Sequence, residues 1–165
     1  FTNNLYKKFF LNLFTTIYIF SFCSFILILS FLFHLKVLLF VVLITCIASD
    51  IGGFTFGKLF KGPKLTKISP NKTISGAIGS IFFSVFFLSL LMNYLIVSFN
   101  YLIILVGFLT SLGCQTGDLL VSFLKRKSFA KDTGNLLPGH GGVLDRVDGI
   151  LLGLPVGFFT LLIIY

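Results

Sequence analysis

Every side-chain carboxylate in this chain belongs to one of five aspartates, Asp50, Asp118, Asp132, Asp145 and Asp148, because the sequence contains no glutamate. Asp145 and Asp148 stand three apart in "PGHGGVLDRVDG" (138–149), so they meet on one face of any helix that begins after Gly142. Two carboxylates so placed repel each other unless something positive lies between them. Arg146 is expected to point elsewhere on such a helix, which makes a bound cation the better solution, and oxygen-only ligands favour a hard ion such as Mg²⁺. The plainer reading is a helix N-terminal turn whose acids complement the helix dipole.

The surroundings favour chemistry. Between Asp118 and Asp148 the chain gathers four aspartates, Lys125, Lys127, Lys131, Arg126, Arg146, His140 and the turn "PGHGG". Carboxylates that hold a metal, cations that clamp oxyanions and glycines such as Gly141 that let the backbone approach phosphate are the working parts of phosphoryl or nucleotidyl transfer. A basic loop that only binds lipid headgroups accounts for the lysines and leaves the aspartates unexplained. His140 can contact phosphate, ligate metal, move a proton or simply hydrogen-bond within the loop, and no second histidine is nearby to strengthen the metal role. Asp50 lies near the end of an apolar run, where a carboxylate is either functional or a helix-end acid facing water; its role stays open.

The elements that must position these groups are membrane helices. With 56% hydrophobic and 11% charged residues and a mean hydropathy of +1.06, the chain falls outside the range of water-soluble domains. Five apolar runs are long enough to cross a bilayer: Phe9 to Phe33, Val37 to Phe56, Gly76 to Met92, Tyr94 to Gly113 and Gly149 to Tyr165. The third and fourth are divided at a polar notch, Asn93, and are read as a pair of spans. Lys58, Lys61, Lys64, Lys67 and Lys72 fill one connecting segment, and Lys125, Arg126, Lys127, Lys131 and Arg146 fill another. The positive-inside rule assigns both to the cytoplasmic side, which two crossings between them permit. The expected architecture is therefore all-α: a polytopic integral membrane helical bundle of about five transmembrane helices, with cytoplasmic catalytic loops and an amphipathic helix.

That amphipathic helix follows the fourth span, with Leu119, Leu120, Phe123 and Leu124 apolar and Asp118, Ser122, Lys125 and Arg126 opposite. Thr73 or Ser75 is the expected cap of the third span. Cys23, Cys46 and Cys114 lack the close spacing of zinc or disulfide frameworks and read as packing residues. The net charge of +8 is explained by topology and anionic headgroups; with no aromatic-basic module visible, nucleic acid is excluded as a partner. The chain begins at Phe1 and is read as the C-terminal portion of a longer protein.

The stretch "SFLKRKSFAKDTGNLLPGHGGVLDRVD" (122–148) resembles the signature of the phosphatidate cytidylyltransferases, or CDP-diacylglycerol synthases, with its Ser-x-x-Lys-Arg opening, Lys-Asp, Gly-His-Gly-Gly turn and closing Asp-Arg-x-Asp. "GDLLVSFLKR" and "SDIGGFTFGKLFKGPKLTKISPNKTISG" are similar to family segments too, so the resemblance covers Ala48 to the C-terminus, with the signature region at 114–148. It departs at Ile74 and Ser75, where relatives carry Trp-Glu. The resemblance implies a single membrane-embedded transferase domain over residues 1–165 that joins CTP to phosphatidate and releases pyrophosphate in phospholipid biosynthesis. It implies Mg²⁺ at Asp118, Asp145 and Asp148, with a second cation undetermined. Lys125, Arg126, Lys131, Asp132 and Arg146 are then catalytic, and Lys67, Lys72, Ser122, His140 and Gly141 bind substrate. Membrane lipids and a second copy of the chain are the further partners it suggests, in a bacterial inner membrane with the site facing the cytoplasm. The rival readings are a CTP-using polyprenol or dolichol kinase type and, from another class, a cation transporter built on the same aspartates.

Overall fold

The computed structural model describes residues 2–66, 69, 72–95, 100–127, 142 and 144–164. They form five helices, α1 (Thr2–Ser30), α2 (Phe33–Phe60), α3 (Ile74–Leu95), α4 (Leu102–Lys127) and α5 (Leu144–Ile164), each long and apolar enough to cross a membrane. Among the described residues there is no strand, only an isolated antiparallel bridge between Lys64 and Thr73. A spanning segment must pair its own backbone groups where water is absent, and the helix does so within one run of chain.

The boundaries sharpen the expectation. Asn93 lies inside α3, and the chain leaves that helix only after Leu95. The fourth span and the amphipathic segment beyond it are one continuous helix, α4, so Asp118 sits in its interior. Asp50 is likewise ten residues short of the end of α2 rather than at a helix terminus.

Two helix pairs make the body of the fold. Between α2 and α3, a Cβ placed on Gly52 would lie 2.6 Å from the Gly79 carbonyl oxygen, and one on Gly76 would lie 2.8 Å from that of Gly53. Between α4 and α5, a Cβ on Gly153 would lie 3.0 Å from the Cys114 backbone nitrogen. Small residues at these positions let the backbones approach closely, the usual means of helix association in lipid, where burying apolar surface alone gives little preference. The pairs share a core of Val41, Val42 and Cys46 from α2, Leu88 and Met92 from α3, Val106 and Cys114 from α4, and Leu154, Phe158 and Leu161 from α5. Cys46 and Cys114 are thus packing residues, while Cys23 is exposed on α1. Helix α1 lies at the edge, with Phe25 edge-on to Phe158 at 5.6 Å.

Candidate functional site

The chemistry-bearing residues converge on a cavity of about 580 Å³. Helix α2 contributes Asp50, Phe54 and Lys58 to it, α3 contributes Ala77 and Ser80, α4 contributes Gln115 and Asp118, and the start of α5 contributes Asp145, Arg146 and Asp148. Lys72 and Thr73 enter from the segment between α2 and α3.

That segment is held by its backbone. Leu65 N–H donates to the Lys72 carbonyl at 2.8 Å and Ile74 N–H to that of Pro63 at 3.0 Å. Thr73 caps α3: its Oγ1 accepts from Gly76 N–H at 3.1 Å while its carbonyl accepts from Ala77 N–H at 3.0 Å. Lys72 therefore leaves the chain immediately before a fixed helix start, and its ammonium makes an ion pair with Asp118 Oδ2.

The position of Asp118 follows from the α4–α5 seam. A Cβ on Gly149 would come within 2.8 Å of Asp118 Oδ1, and one on Gly117 within 2.8 Å of the Asp148 carbonyl oxygen. Glycine at both positions lets the helices close until Asp118 and Asp148 adjoin at the cavity. Asp148 Oδ1 also accepts from Gly149 N–H at 3.0 Å.

Asp145 is held differently from Asp148. Its Oδ1 accepts from Lys125 Nζ at 2.8 Å, and its Oδ2 from Gly142 N–H at 3.0 Å, folding back over the helix start in the manner of a capping box. The dipole-complementing role and the site role thus coexist, since Asp145 lines the cavity as well. Arg146, expected to point away from the two acids, lines the same cavity, because this first turn of α5 sits at the cavity wall.

Below the acids a polar chain links three helices. Gln115 Nε2 donates to the Ala77 carbonyl and to Ser111 Oγ, both at 3.2 Å, and Ser111 Oγ meets Ser49 Oγ at 3.0 Å. A backbone carbonyl can only accept, so the amide nitrogen of Gln115 must face Ala77. Ser49 and Ser111 are buried, and each satisfies the other.

Of the residues singled out from sequence, the structure brings Lys72, Asp118, Asp145, Arg146 and Asp148 to one cavity, with Lys125 bound to Asp145. Ser122 and Arg126 lie on the last turns of α4 and are not among the described residues that line it. Lys67, Lys131, Asp132, His140 and Gly141 fall outside the described residues. Asp50, whose role the sequence left open, lines the cavity within electrostatic range of Asp118 and Lys72. Gln115, Phe54 and Lys58 were not anticipated as lining residues. The signal that finds the close helix seams is the i, i+4 glycine spacing at Gly53 and Gly57, and at Gly149, Gly153 and Gly157.

Among the described residues no three aspartate, histidine or cysteine side chains group closely enough to hold an ion unaided. The adjoining carboxyls of Asp118 and Asp148 nevertheless form an all-oxygen donor pair. That pair fits a hard cation that completes its coordination with other oxygen ligands.

The chain belongs to the cytidylyltransferase family, whose model matches residues 2–164. It is 41% identical over 123 residues to a phosphatidate cytidylyltransferase of Mycobacterium leprae, covering 74% of this chain and 39% of that protein. To a protein of the same name from Helicobacter pylori it is 45% identical over 121 residues, 73% of this chain and 45% of the other. A third, from Rickettsia felis, is 39% identical over 129 residues, 72% of this chain and 57% of the relative. The match thus spans about half the length of these relatives.

Proposed function

We propose that this chain carries the catalytic site of a phosphatidate cytidylyltransferase. The phosphomonoester oxygen of phosphatidate attacks the α-phosphorus of CTP, the bond from that phosphorus to the bridging oxygen of the β-phosphate breaks, and CDP-diacylglycerol and pyrophosphate leave. The observation that carries this reading is the convergence, in one cavity, of Asp118, Asp148 and Asp145 with Lys72 and Arg146, from the α2–α3 segment, α4 and α5.

A divalent cation, Mg²⁺ by its preference for oxygen, would be held by Asp118 and Asp148 with Asp145 alongside, and would neutralise charge building up on the phosphate oxygens. Lys72, Lys125 and Arg146 supply positive charge toward the triphosphate and the lipid phosphate. The cavity also suits one soluble and one lipid substrate. Phe54 lines it yet is 69% exposed on a membrane-spanning helix, giving the lipid a route from the side. We place the site at the cytoplasmic face of a bacterial inner membrane, where lysines of the α2–α3 segment and of the α4 end gather.

The test is conversion of labelled CTP and phosphatidate in membranes containing the protein, with and without Mg²⁺. Magnesium-dependent CDP-diacylglycerol and pyrophosphate are expected. A phosphorylated alcohol, or cation flux indifferent to CTP, would overturn the reading.

A further inference from the structure

Beyond the cation reading above, on which this inference rests, the structure holds a feature that the reaction alone does not require: two carboxylates at the site are already held by lysine. Lys72 pairs with Asp118 Oδ2, and Lys125 with Asp145 Oδ1 at 2.8 Å. Both pairs are largely shielded, with side-chain exposures of 26% and 23% for the first and 17% and 12% for the second. Asp118 cannot offer Oδ2 to a metal ion while the Lys72 ammonium occupies it.

We propose that Lys72 is an exchangeable counter-ion, which holds Asp118 until a divalent cation displaces it and is thereby turned toward the triphosphate that arrives with the metal. Two adjoining carboxyls, Asp118 and Asp148, with Asp50 nearby, are costly in a partly desolvated site without a positive partner. Lys72 supplies one, which holds the carboxyls together before a metal binds. The same charge must leave the carboxylate when a metal takes its place, and anionic phosphate oxygens are the compensating partner. Metal and nucleotide then bind cooperatively, because each removes an obstacle to the other, and linkage requires the effect to be reciprocal.

The geometry lets Lys72 move without unravelling the site. Its own carbonyl is pinned by Leu65 N–H and its neighbour Thr73 is fixed as the α3 cap, so only the four-carbon side chain has to swing. Asp118 stays in place because Gly149 faces its other oxygen on the closed α4–α5 seam. Lys72 is thus a positioning residue while it pairs with Asp118 and a phosphate ligand once a metal has displaced it.

The experiment measures binding of Mn²⁺, a spectroscopically visible divalent ion, to the purified chain in neutral detergent without nucleotide or phosphatidate. Lys72→Met keeps most of the unbranched side chain and removes the charge. It should bind Mn²⁺ about 10-fold more tightly than wild type. Lys72→Arg keeps the charge and should remain near wild type. Adding CTP should tighten Mn²⁺ binding much more in wild type than in Lys72→Met. Asp118→Asn in the Lys72→Met background should abolish the gain, and thermal unfolding of each variant identifies any that fails to fold. Equal or weaker Mn²⁺ binding by folded Lys72→Met, with wild-type binding that still depends on Asp118, overturns the exchange and leaves the cation reading intact. No Asp118-dependent binding by either protein overturns both.

Discussion

In the α2–α3 pair, glycines at 52 and 79 bring two helices together, and the segment joining them delivers a lysine; in the α4–α5 pair, glycines at 117, 149 and 153 do the same for two helices that deliver three aspartates. The packing device is common to both, and the charges are opposite in emphasis. The first pair contributes Lys58, Lys72 and a single acid, Asp50; the second contributes Asp118, Asp145 and Asp148 with Arg146. Neither pair is a site alone. A carboxylate cluster needs counter-charge: Lys125 supplies it to Asp145 within the α4–α5 pair, and Lys72 supplies it to Asp118 across the gap, which the Gln115–Ala77 hydrogen bond also bridges.

If the α4–α5 pair carries the transfer chemistry, its acids should be the most sensitive residues. Asp118→Asn and Asp148→Asn remove charge where the two helices meet and should lower kcat by roughly 100- to 1,000-fold or more, with unchanged membrane insertion. Substantial turnover in both purified variants would sink the assignment of these acids. Asp50, from the other pair, faces the same cavity without adjoining those carboxyls. Asp50→Asn is expected to cost less, about 10- to 100-fold, as a supporting charge does. Equal losses at Asp50 and Asp118 would remove the distinction between the pairs.

The glycine seams make the next contrast. A Cβ on Gly153 would meet Cys114 Sγ at 2.2 Å and its backbone nitrogen at 3.0 Å, whereas one on Gly57 would have as its nearest neighbour the Thr73 hydroxyl at 3.1 Å. Gly153→Ala must therefore push α4 and α5 apart, at a cost of roughly 1–3 kcal/mol in stability, while Gly57→Ala should cost less. Thermal unfolding in detergent measures both. Because the α4–α5 seam also sets the distance from Asp118 to Asp148, Gly153→Ala should lose activity as well as stability, and Gly57→Ala should keep more of its activity.

Much of this arrangement was legible in the sequence. The five spans, a hydroxyl cap at Thr73 or Ser75, of which the structure uses Thr73, and the helix beginning after Gly142 each follow from local pattern: apolar length, a hydroxyl before a helix, and a glycine turn. The three acids proposed to hold a cation were named from spacing and from the family signature, and the structure gathers Asp118, Asp145 and Asp148 at one cavity. What the sequence hid depends on how helices rotate against each other. Asp50 is 68 residues from Asp118, and whether it faces lipid or the cavity depends on the α2–α3 seam, which no periodicity within α2 reveals. The i, i+3 rule put Asp145 and Asp148 on one face correctly, but it could not anticipate that Lys125 would hold one while Asp118 adjoined the other. Nor could it anticipate Arg146 at the cavity, since the first turn of a helix can line a wall with more than one face.

The smallest effects should come from the end of α4, where adjacent cations have unlike surroundings. Lys125 is half-buried with its ammonium on Asp145, whereas Lys127 is exposed and its ammonium lies 5.3 Å from the centre of the Phe123 ring. A cation over an exposed aromatic face contributes only about 0.5–1 kcal/mol, and its loss reaches no group in the cavity. Lys127→Ala should therefore leave kcat and both KM values within about twofold of wild type, as surface substitutions commonly do. Lys125→Ala removes the positive charge beside Asp145 and should reduce activity about 10-fold or more, most of it recovered in Lys125→Arg. If Lys127→Ala proves as damaging as Lys125→Ala, charge at this helix end acts through the general field of the membrane surface rather than through the Asp145 contact. The acid–lysine pairing would then lose its special place in the α4–α5 half of the site.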